Sequence, residues 1–222
     1  MRSQQKGFTL VELMVVVAIF AIISLIAYPN MTEWIAERRI ANKAEQMANM
    51  FRLARGEAVR IGVPVYICPV NLSDAGSPNF YCQTSSPEGY AAFADVNKDN
   101  KFTKDVDLPL RTVVLNTPSR ATMRYLFDNL SANYSIIRSG SEQARAAGYL
   151  PNGSFLRANY ATDGTITTNP ANSIIKIVLT DIEPKDKEKS RAQVMLLDSS
   201  GRVQFCKKSE IADAANKKCT FQ

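Results

Sequence analysis

The first 28 residues constrain this chain more than any other stretch, because they join a short basic leader to a long apolar segment. The leader carries Arg2 and Lys6 and no acidic residue, and the apolar segment over 8–28 contains one carboxylate, Glu12. As a helix rising ~1.5 Å per residue, this segment would be ~30 Å long, which is enough to cross a bilayer core. A charge inside such a segment is costly in lipid, so Glu12 is a candidate functional residue.

Two ordinary membrane-targeting segments begin in the same way. A secretory signal peptide places small residues at the end of its apolar core for cleavage, but the residues from Ile26 to Asn30 lack such a site. A plain signal anchor accounts for the length of the run and for a basic leader that stays in the cytoplasm. Neither type accounts for Glu12 or for the glycine–phenylalanine junction at Gly7 and Phe8.

The sequence around this junction resembles that of a known family. The stretch from Gly7 to Glu12, Gly-Phe-Thr-Leu-Val-Glu, is similar to the class III leader of type IV pilins and type II secretion pseudopilins. The resemblance implies that a prepilin peptidase cuts between Gly7 and Phe8 and that the new N-terminus at Phe8 is methylated. It also implies that apolar helices pack in a filament core, where Glu12 pairs with the N-terminal amine of a neighbouring subunit or of its own chain.

This resemblance predicts three parts of the chain: a leader peptide over 1–7, a transmembrane and fibre-core helix over 8–29, and a soluble domain over 30–222. Before assembly the chain would cross the inner membrane once and hold its soluble domain in the periplasm. After assembly it would stand in a pilus at the cell surface. The implied partners are other minor and major pilins, the prepilin peptidase, the inner membrane and the pilus assembly platform.

Length and composition indicate a folded domain after the apolar segment. About 190 of the 222 residues remain, enough for one domain with a proper core, with two small lobes as the alternative. With 45% hydrophobic and 22% charged residues, the composition excludes disorder for most of the chain. The formal charge of +6 would fall to +4 on loss of Arg2 and Lys6, which gives only weak support for binding nucleic acid or anionic lipid.

The chemistry of the side chains argues against an enzyme. The chain contains no histidine, which removes the commonest general base and the commonest zinc ligand. The sequence also lacks a glycine-rich phosphate loop, a reactive-cysteine pattern and a convincing pair of catalytic carboxylates. We therefore predict a non-enzymatic protein without a cofactor or a metal.

The chain has four cysteines, Cys68, Cys82, Cys206 and Cys219, which fall in two pairs with 13 and 12 intervening residues. Neither pair has the spacing of a metal finger. An exported domain lies in an oxidising compartment, where disulfides are the expected state. Of the three pairings, Cys68–Cys82 and Cys206–Cys219 are favoured because each closes a polar, loop-like segment, and each would contribute ~3 kcal/mol in the chain-entropy model.

A second helical pattern follows the apolar segment. Pro29 should kink or break the helix, because proline lacks an N–H and crowds the preceding turn. The residues from Met31 to Ile61 are rich in helix formers and end at Gly62 and Pro64. Their apolar residues recur at three- and four-residue spacing, which predicts one core-facing stripe in a long, kinked helix over 8–61. The stripe consists of Met47, Met50, Phe51, Ala54, Ala58 and Ile61.

Apolar and β-branched runs after this helix predict strands. The run from Ser173 to Thr180 predicts a central strand, and runs at 192–197 and 202–205 flank Asp198–Gly201 as a β-hairpin. Further strands are predicted at 63–69, 90–94 and 108–115, with a turn at 148–155, whereas 122–130 and 134–137 remain unassigned. The order of elements indicates the α+β class: a long kinked N-terminal helix packed on antiparallel β-sheets.

The segment over 95–107 bears a partial likeness to a calcium-binding loop. Asp95, Asn97 and Asp99 alternate as oxygen ligands do in an EF-hand. An asparagine stands where glycine makes the sharp turn, a valine replaces the bidentate glutamate, and no helical pair flanks the loop. We therefore predict a solvated turn between strands.

Three later segments resemble the FimT/GspH-type proteins, which are minor pilins of type IV pili and minor pseudopilins of type II secretion. These segments are the helix-to-strand junction over 45–69, the turn at 95–100 with the Leu-Arg step at 110–111, and the hairpin over 194–203. The resemblance is strong over 7–70, patchy over 90–115 and 192–206, and absent in between. Two cysteine pairs and the Cys-Pro step at 68–69 make the chain look more like the pilus proteins, and in particular like FimU-like minor pilins.

A FimU-like resemblance implies a structural subunit of the tip or priming complex that initiates pilus assembly. One alternative is a GspH-like minor pseudopilin of type II secretion. The other is a FimT-like minor pilin that binds DNA in natural transformation through a Gly-Arg-x-Arg motif in its C-terminal hairpin. This chain has Gly-Arg-Val-Gln at 201–204 and lacks the second arginine.

The candidate DNA contacts are therefore Arg202, Lys207 and Lys208, with Lys217 and Lys218 in the same basic tail. Lysines near the hairpin could replace the missing arginine by contacting phosphates. A solvated basic tail is the favoured interpretation, so DNA is a partner only in the alternative function.

Overall fold

The structure is a computed structural model of the chain. It describes residues 7, 9–73, 76–83, 87–117, 122–131, 133–137, 145–170 and 174–221, with the backbone alone over 25–30 and at 170. The chain divides into two compact units, Met1–Arg39 and Ile40–Gln222.

The longest element is helix α1, Leu10–Ile61, which spans 52 residues. Two short helices, α2 (Glu188–Arg191) and α3 (Lys208–Ala212), lie towards the C-terminus, and a 3-10 turn at Lys185–Lys187 precedes α2. The predicted single long helix is confirmed, because α1 continues through Pro29 and is not broken there. A proline inside a helix removes one backbone hydrogen bond, and helix formers on both sides sustain the rest of the ladder.

In the unit Met1–Arg39, α1 carries an exposed apolar surface. The large apolar side chains between Leu10 and Ile23 are exposed by 42–74%. Because a helix has 3.6 residues per turn, such a consecutive run reaches every face of it. Among the described helices, none has the length and apolar character needed to span a membrane.

In the unit Ile40–Gln222, the second half of α1 forms the spine of the hydrophobic core. Met47, Met50, Phe51, Ala54 and Ala58 are all fully buried, as the predicted stripe requires, and the side chain of the sixth member, at position 61, is partly buried. The charged residues between them lie on the solvent side of the helix. The predicted core-facing stripe is therefore confirmed.

The strands of this unit form two antiparallel sheets. In chain order they are β1 (Val65–Leu72), β2 (Pro78–Asn79), β3 (Gly89–Ala94), β4 (Leu108–Val114), β5 (Met123–Leu130), β6 (Ile136–Ile137), β7 (Ala146–Tyr149), β8 (Phe155–Tyr160), β9 (Ile166–Pro170), β10 (Ile174–Asp181), β11 (Gln193–Leu197) and β12 (Val203–Phe205). Among the described residues, the first sheet has the order β4-β3-β1-β7-β8-β9, with β2 paired to β1, and the second has the order β12-β11-β10-β5-β6.

One hydrophobic cluster joins α1 to both sheets. Met47 and Phe51 of the helix share it with Ile67 and Tyr149 of the first sheet and with Ile177 of the second. All five side chains are buried to within 1% of full burial. Burying a large apolar side chain contributes ~1.5–3 kcal/mol, so this cluster contributes strongly to the stability of the unit. The predicted α+β class is confirmed.

All six predicted strands are present. The central strand predicted from its β-branched run is β10, which pairs with β5 on one side and β11 on the other. The predicted hairpin is β11–β12, and the turn predicted at 148–155 joins β7 to β8. The unassigned stretches form β5 and β6, whereas β2 and β9 were not predicted.

Two cysteine pairs fasten loops to the sheets. The Cys206–Cys219 disulfide is confirmed, with its Cα atoms 5.8 Å apart, and it ties the tail after α3 to the end of β12. Cys68 and Cys82 are also joined, with Cα atoms 5.0 Å apart, inside the usual range for a disulfide.

Beside the tail, the buried Lys176 ammonium donates a hydrogen bond of 2.5 Å to the Thr220 carbonyl, and burial lowers the pKa of Lys176.

Removing the tail disulfide should destabilise the folded chain. For Cys206→Ser combined with Cys219→Ser, we expect the free energy of unfolding to fall by about 3 kcal/mol, because the open loop adds conformational entropy to the unfolded state. Urea unfolding of the purified chain measures this change. A reductant should remove less stability from the double variant than from the wild type; an unchanged urea midpoint in the double variant would contradict the prediction.

Candidate functional site

The N-terminal end of α1 carries the predicted assembly residue, Glu12. The backbone N–H of Glu12 donates to the Thr9 hydroxyl at 3.2 Å, and the N–H of Thr9 donates to the Glu12 carboxylate at 3.5 Å. This reciprocal pair is a capping box, which satisfies N–H groups that have no partner within the helix. Sequence reasoning missed this second role, although a threonine followed three residues later by a glutamate is its known pattern.

The residues predicted for processing adjoin this cap. Gly7 is described and has open space where a side chain would begin, whereas Phe8 lies outside the described residues. Glu12 itself is exposed, and large apolar side chains surround it on α1. A carboxylate on an exposed apolar helix is costly to bury unless a cation meets it. The arrangement therefore suits an interface that supplies a positive charge at this position.

A second candidate site lies in the unit Ile40–Gln222, where the β11–β12 hairpin meets α1. Arg202 of the hairpin lines a pocket of about 390 Å³ together with Arg52 and Arg55 of the helix. The remaining residues that line it are Gly201, Val203 and Gln204. We call this feature, defined by Arg52, Arg55 and Arg202, the arginine pocket.

The turn of the hairpin is fixed by a network around Asp198. Its carboxylate accepts hydrogen bonds from the backbone N–H of Ser200 at 2.9 Å, from the Ser200 hydroxyl at 2.6 Å, and from the N–H of Arg202 at 3.0 Å. Burial acts to raise the pKa of Asp198, but these hydrogen bonds and the Arg202 charge outweigh it, so the pKa lies below its ordinary value. The backbone of Arg202 is therefore held in place.

The floor of the pocket is rigid as well. Gly201 is buried and has a positive φ of 74°, and a Cβ atom there would lie 2.6 Å from the Tyr149 ring. The buried Tyr149 hydroxyl donates a 2.9 Å hydrogen bond to the Gly201 carbonyl. Only glycine readily adopts this backbone conformation and also leaves room for an aromatic ring so close to its Cα atom.

The structure does not bring the three predicted DNA contacts together. Arg202 precedes β12, whereas Lys207 and Lys208 follow it at the start of α3 and do not line the arginine pocket. The Lys208 ammonium donates to the Ser190 carbonyl, and the N–H of Lys207 donates to a carboxylate oxygen of Glu210 at 2.7 Å. Arg202 is grouped instead with two arginines of α1, a pairing that sequence reasoning missed.

The acidic loop after β3 differs from the predicted solvated turn. Asp95 and Asp107 are buried, and together with the exposed Asp99 they place carboxylate oxygens within 4.8 Å of one another. Backbone N–H groups of Asn100 and Val96 donate to Asp95 and Asp107 at 3.0 and 2.8 Å. Burial, followed by the charge of Asp107, raises the pKa of Asp95. The prediction of a solvated turn is wrong for the two buried carboxylates, because backbone donors replace water around them.

A larger groove of about 750 Å³ lies beside β4 and next to this loop. Its walls include the stacked rings of Tyr81 and Phe102, 3.9 Å between centroids, and the exposed ring of Phe80. Charges of both signs, on Lys104 and Asp105 among others, line it. The mixed lining favours no single class of ligand, in contrast to the arginine pocket.

Comparison with known protein families identifies the chain. The family model described as "Prokaryotic N-terminal methylation motif" matches residues 2–28, and the family model described as "Type II transport protein GspH" matches residues 43–201. The chain belongs to the GspH family. The predicted resemblance to pilin-like proteins of the FimT/GspH type, with a class III leader, is therefore confirmed.

Curated relatives of this GspH-family chain match over a shorter stretch. Type IV major fimbrial protein FimA of Dichelobacter nodosus is 44% identical over 50 residues, which is 22% of this chain and 32% of FimA. Fimbrial protein EcpC of Eikenella corrodens is 40% identical over 57 residues, 26% of this chain and 33% of EcpC. The chain thus spans about a third of the length of the curated relatives it matches.

Among solved structures, this GspH-family chain is similar to the type IV minor pilin FimU of Pseudomonas aeruginosa. The two are 16% identical, with a TM-score of 0.41, over 78% of this chain and 91% of FimU.

The Tyr149–Gly201 hydrogen bond should contribute measurably to stability. For Tyr149→Phe we expect the free energy of unfolding to fall by about 1–3 kcal/mol, because the buried Gly201 carbonyl loses its donor. The loss should be the same between pH 2 and pH 7, because burial raises the pKa of the Tyr149 hydroxyl far above this range. Urea unfolding at several pH values measures it; no loss at any pH would contradict the assigned contact.

Asp198→Asn should instead destabilise the chain in a pH-dependent way. A carboxyl whose pKa is lowered in the folded state stabilises it above the unfolded pKa, near 3.8, and loses this contribution as the pH falls through the folded pKa. The difference in unfolding free energy between wild type and Asp198→Asn should therefore be present at pH 7 and shrink at acid pH. Tyr149→Phe serves as the pH-independent control. A difference that grows on acidification would contradict the assignment.

Proposed function

We propose that this chain is a minor pilin, a non-enzymatic structural subunit of the tip or priming complex that initiates assembly of a type IV pilus. The observation that carries the proposal is Glu12, an exposed carboxylate in the first turn of a helix whose following large apolar side chains are exposed through Ile23. Contiguous exposed apolar surface of this kind marks an interaction site. The match of residues 2–28 to the N-terminal methylation motif supports the same function.

Processing comes first in the proposed pathway. While the apolar segment over 8–29 anchors the chain in the inner membrane, the prepilin peptidase cuts between Gly7 and Phe8 and methylates the new amine of Phe8. The soluble domain faces the periplasm at this stage. The assembly platform then transfers the subunit into the pilus, beside other minor and major pilins.

Glu12 would then select partner and register. In a core of packed apolar helices, the N-terminal amine at Phe8 and the Glu12 carboxylate are each costly to bury alone, by several kcal/mol. A neighbouring subunit that aligns its amine with this carboxylate removes both penalties. Apolar contacts alone do not distinguish one register from the next, because the hydrophobic effect is non-directional.

A pilus is a better-supported destination than a secretion system. The curated relatives FimA and EcpC are named fimbrial proteins. The alternative is a minor pseudopilin of type II secretion, as the description of the family model suggests. Two measurements distinguish these functions. A pilus subunit is recovered in sheared pili, and deleting it reduces piliation. Deleting a pseudopilin blocks protein secretion instead.

DNA capture is a further alternative, and the arginine pocket bears on it. Arg202, the predicted contact, lies with Arg52 and Arg55, so an anion could be held there. Binding to a nucleic-acid backbone uses several phosphate contacts along a basic track. Lys207 and Lys208 stand beyond the other end of β12 and do not extend the pocket into such a track. A minor pilin without DNA binding therefore remains the better-supported function.

Changing Glu12 tests the proposed function directly. For Glu12→Ala and Glu12→Gln, we expect the amount of chain in sheared pili to fall by at least about tenfold, because an unpaired amine in the filament core costs several kcal/mol. The amount in the membrane should stay the same. Immunoblotting of pilus and membrane fractions measures both.

Thr9→Ala is the matched control, because it removes the capping contact and keeps the carboxylate. Loss of a helix cap costs about 1 kcal/mol, so this variant should enter pili much more efficiently than Glu12→Gln. If Glu12→Gln entered pili as well as the wild type, the charge of Glu12 would have no role in assembly.

A further inference from the structure

We propose that the arginine pocket receives a carboxylate side chain, from aspartate or glutamate, of a neighbouring pilin-family subunit. The inference rests on the proposed function as a filament subunit and adds a second contact to it. It gives Arg52 and Arg55 a role that the family resemblance does not supply.

The charge of the pocket indicates an anionic ligand. Three arginines from two elements line about 390 Å³, and no aspartate or glutamate is among the described residues that line it. On the helix surface, Arg52 makes a long ion pair with Glu45, with 3.8 Å between N and O, and donates to the Asn49 side chain at 2.8 Å. Like charges in one concave site repel each other, and an incoming oxyanion relieves this repulsion.

The walls of the pocket are set before a ligand arrives. Arg52 and Arg55 project from a helix whose adjacent residues Phe51 and Ala54 are fully buried. Across the pocket, Tyr149 and the Asp198 network fix the hairpin backbone around Arg202. Preorganised groups lose less entropy on binding, so even one carboxylate can be held selectively.

The surroundings favour a protein rather than a nucleic acid. Val59, one turn beyond Arg55 on the same helix, is 56% exposed, and both side chains lie within 3.6 Å of the position a Cβ would take at Gly153. Arginine combined with apolar side chains is typical of protein–protein interfaces. The planar guanidinium matches a carboxylate through two parallel hydrogen bonds.

Photo-crosslinking in cells tests the proposal on the full-length chain. A photo-reactive phenylalanine analogue placed at Val59 should crosslink to a pilin-family subunit in assembled pili, identified by mass spectrometry. In the Arg52→Glu/Arg55→Glu background, we expect this crosslink to fall by at least about tenfold, as for the loss of a close interfacial charge pair. The matched control is Lys185→Glu/Lys187→Glu, which makes the same change of charge at two exposed lysines outside the pocket. In this control, the crosslink yield should stay within about twofold of that seen without the charge changes.

A neutral variant separates lost binding from lost folding. Arg55→Gln removes one guanidinium group and introduces no negative charge. This variant should unfold at the same temperature as the wild type and still weaken the crosslink several-fold. A crosslink that survives in both arginine variants would overturn the proposal. So would a wild-type crosslink to no pilin-family subunit.

Two further measurements identify which idea has failed. If the chain enters pili in a Glu12-dependent manner and the arginine variants crosslink normally, the proposed function stands and the pocket assignment falls. Titration of the purified chain with a single-stranded 20-nucleotide probe tests whether the pocket binds a nucleic acid. Salt-sensitive binding that Arg55→Gln abolishes, together with an unchanged crosslink, would make the pocket a nucleic-acid site instead.

Discussion

The soluble unit depends on the burial of one helical stripe. From Ile40 onward, α1 places fully buried residues at three- and four-residue spacing, and both sheets share their cluster. The small residues Ala44, Ala54 and Ala58 flank Met47 and Phe51 along the stripe, which lets large side chains from the sheets fill the spaces beside them. Without this stripe each sheet would expose an apolar face, so the helix is what allows two sheets to share one core.

The same periodicity explains which elements were predictable. The stripe of α1 and the continuous β-branched run of β10 carry their pattern within a few residues, so local sequence was enough. The strand β7, by contrast, reads Ala-Ala-Gly-Tyr and has no β-branched residue. It forms because β1 and β8 pair with it and because Gly148 leaves room for the Tyr66 ring, which would lie 2.7 Å from a Cβ there. Tertiary pairing overrides weak propensity in such a strand.

Some candidate site residues, like some elements, can be recognised from local sequence, whereas others come together only in the folded chain. Glu12 was predictable because its motif is contiguous, and so was Arg202 as a member of a hairpin. The grouping of Arg202 with Arg52 and Arg55 joins residues about 150 positions apart, and no local pattern encodes it. The acidic loop was misjudged for a related reason. Its composition suggested solvent, but the fold buries Asp95 and Asp107 and supplies backbone N–H groups in place of water.

The two proposed contacts solve different parts of one assembly problem. An exposed apolar helix such as that from Leu10 to Ile23 associates with any similar helix, because apolar burial has no preferred direction. Specificity is a difference between affinities, and it requires groups whose mismatch is penalised. Glu12 would penalise a wrong register for every subunit that carries an N-terminal amine, so by itself it cannot distinguish one pilin from another. A subunit whose soluble domain lacked a carboxylate at the matching position would leave the arginine pocket facing the interface with no partner charge from that subunit. The arginine pocket is therefore the feature suited to deciding which neighbour this subunit accepts.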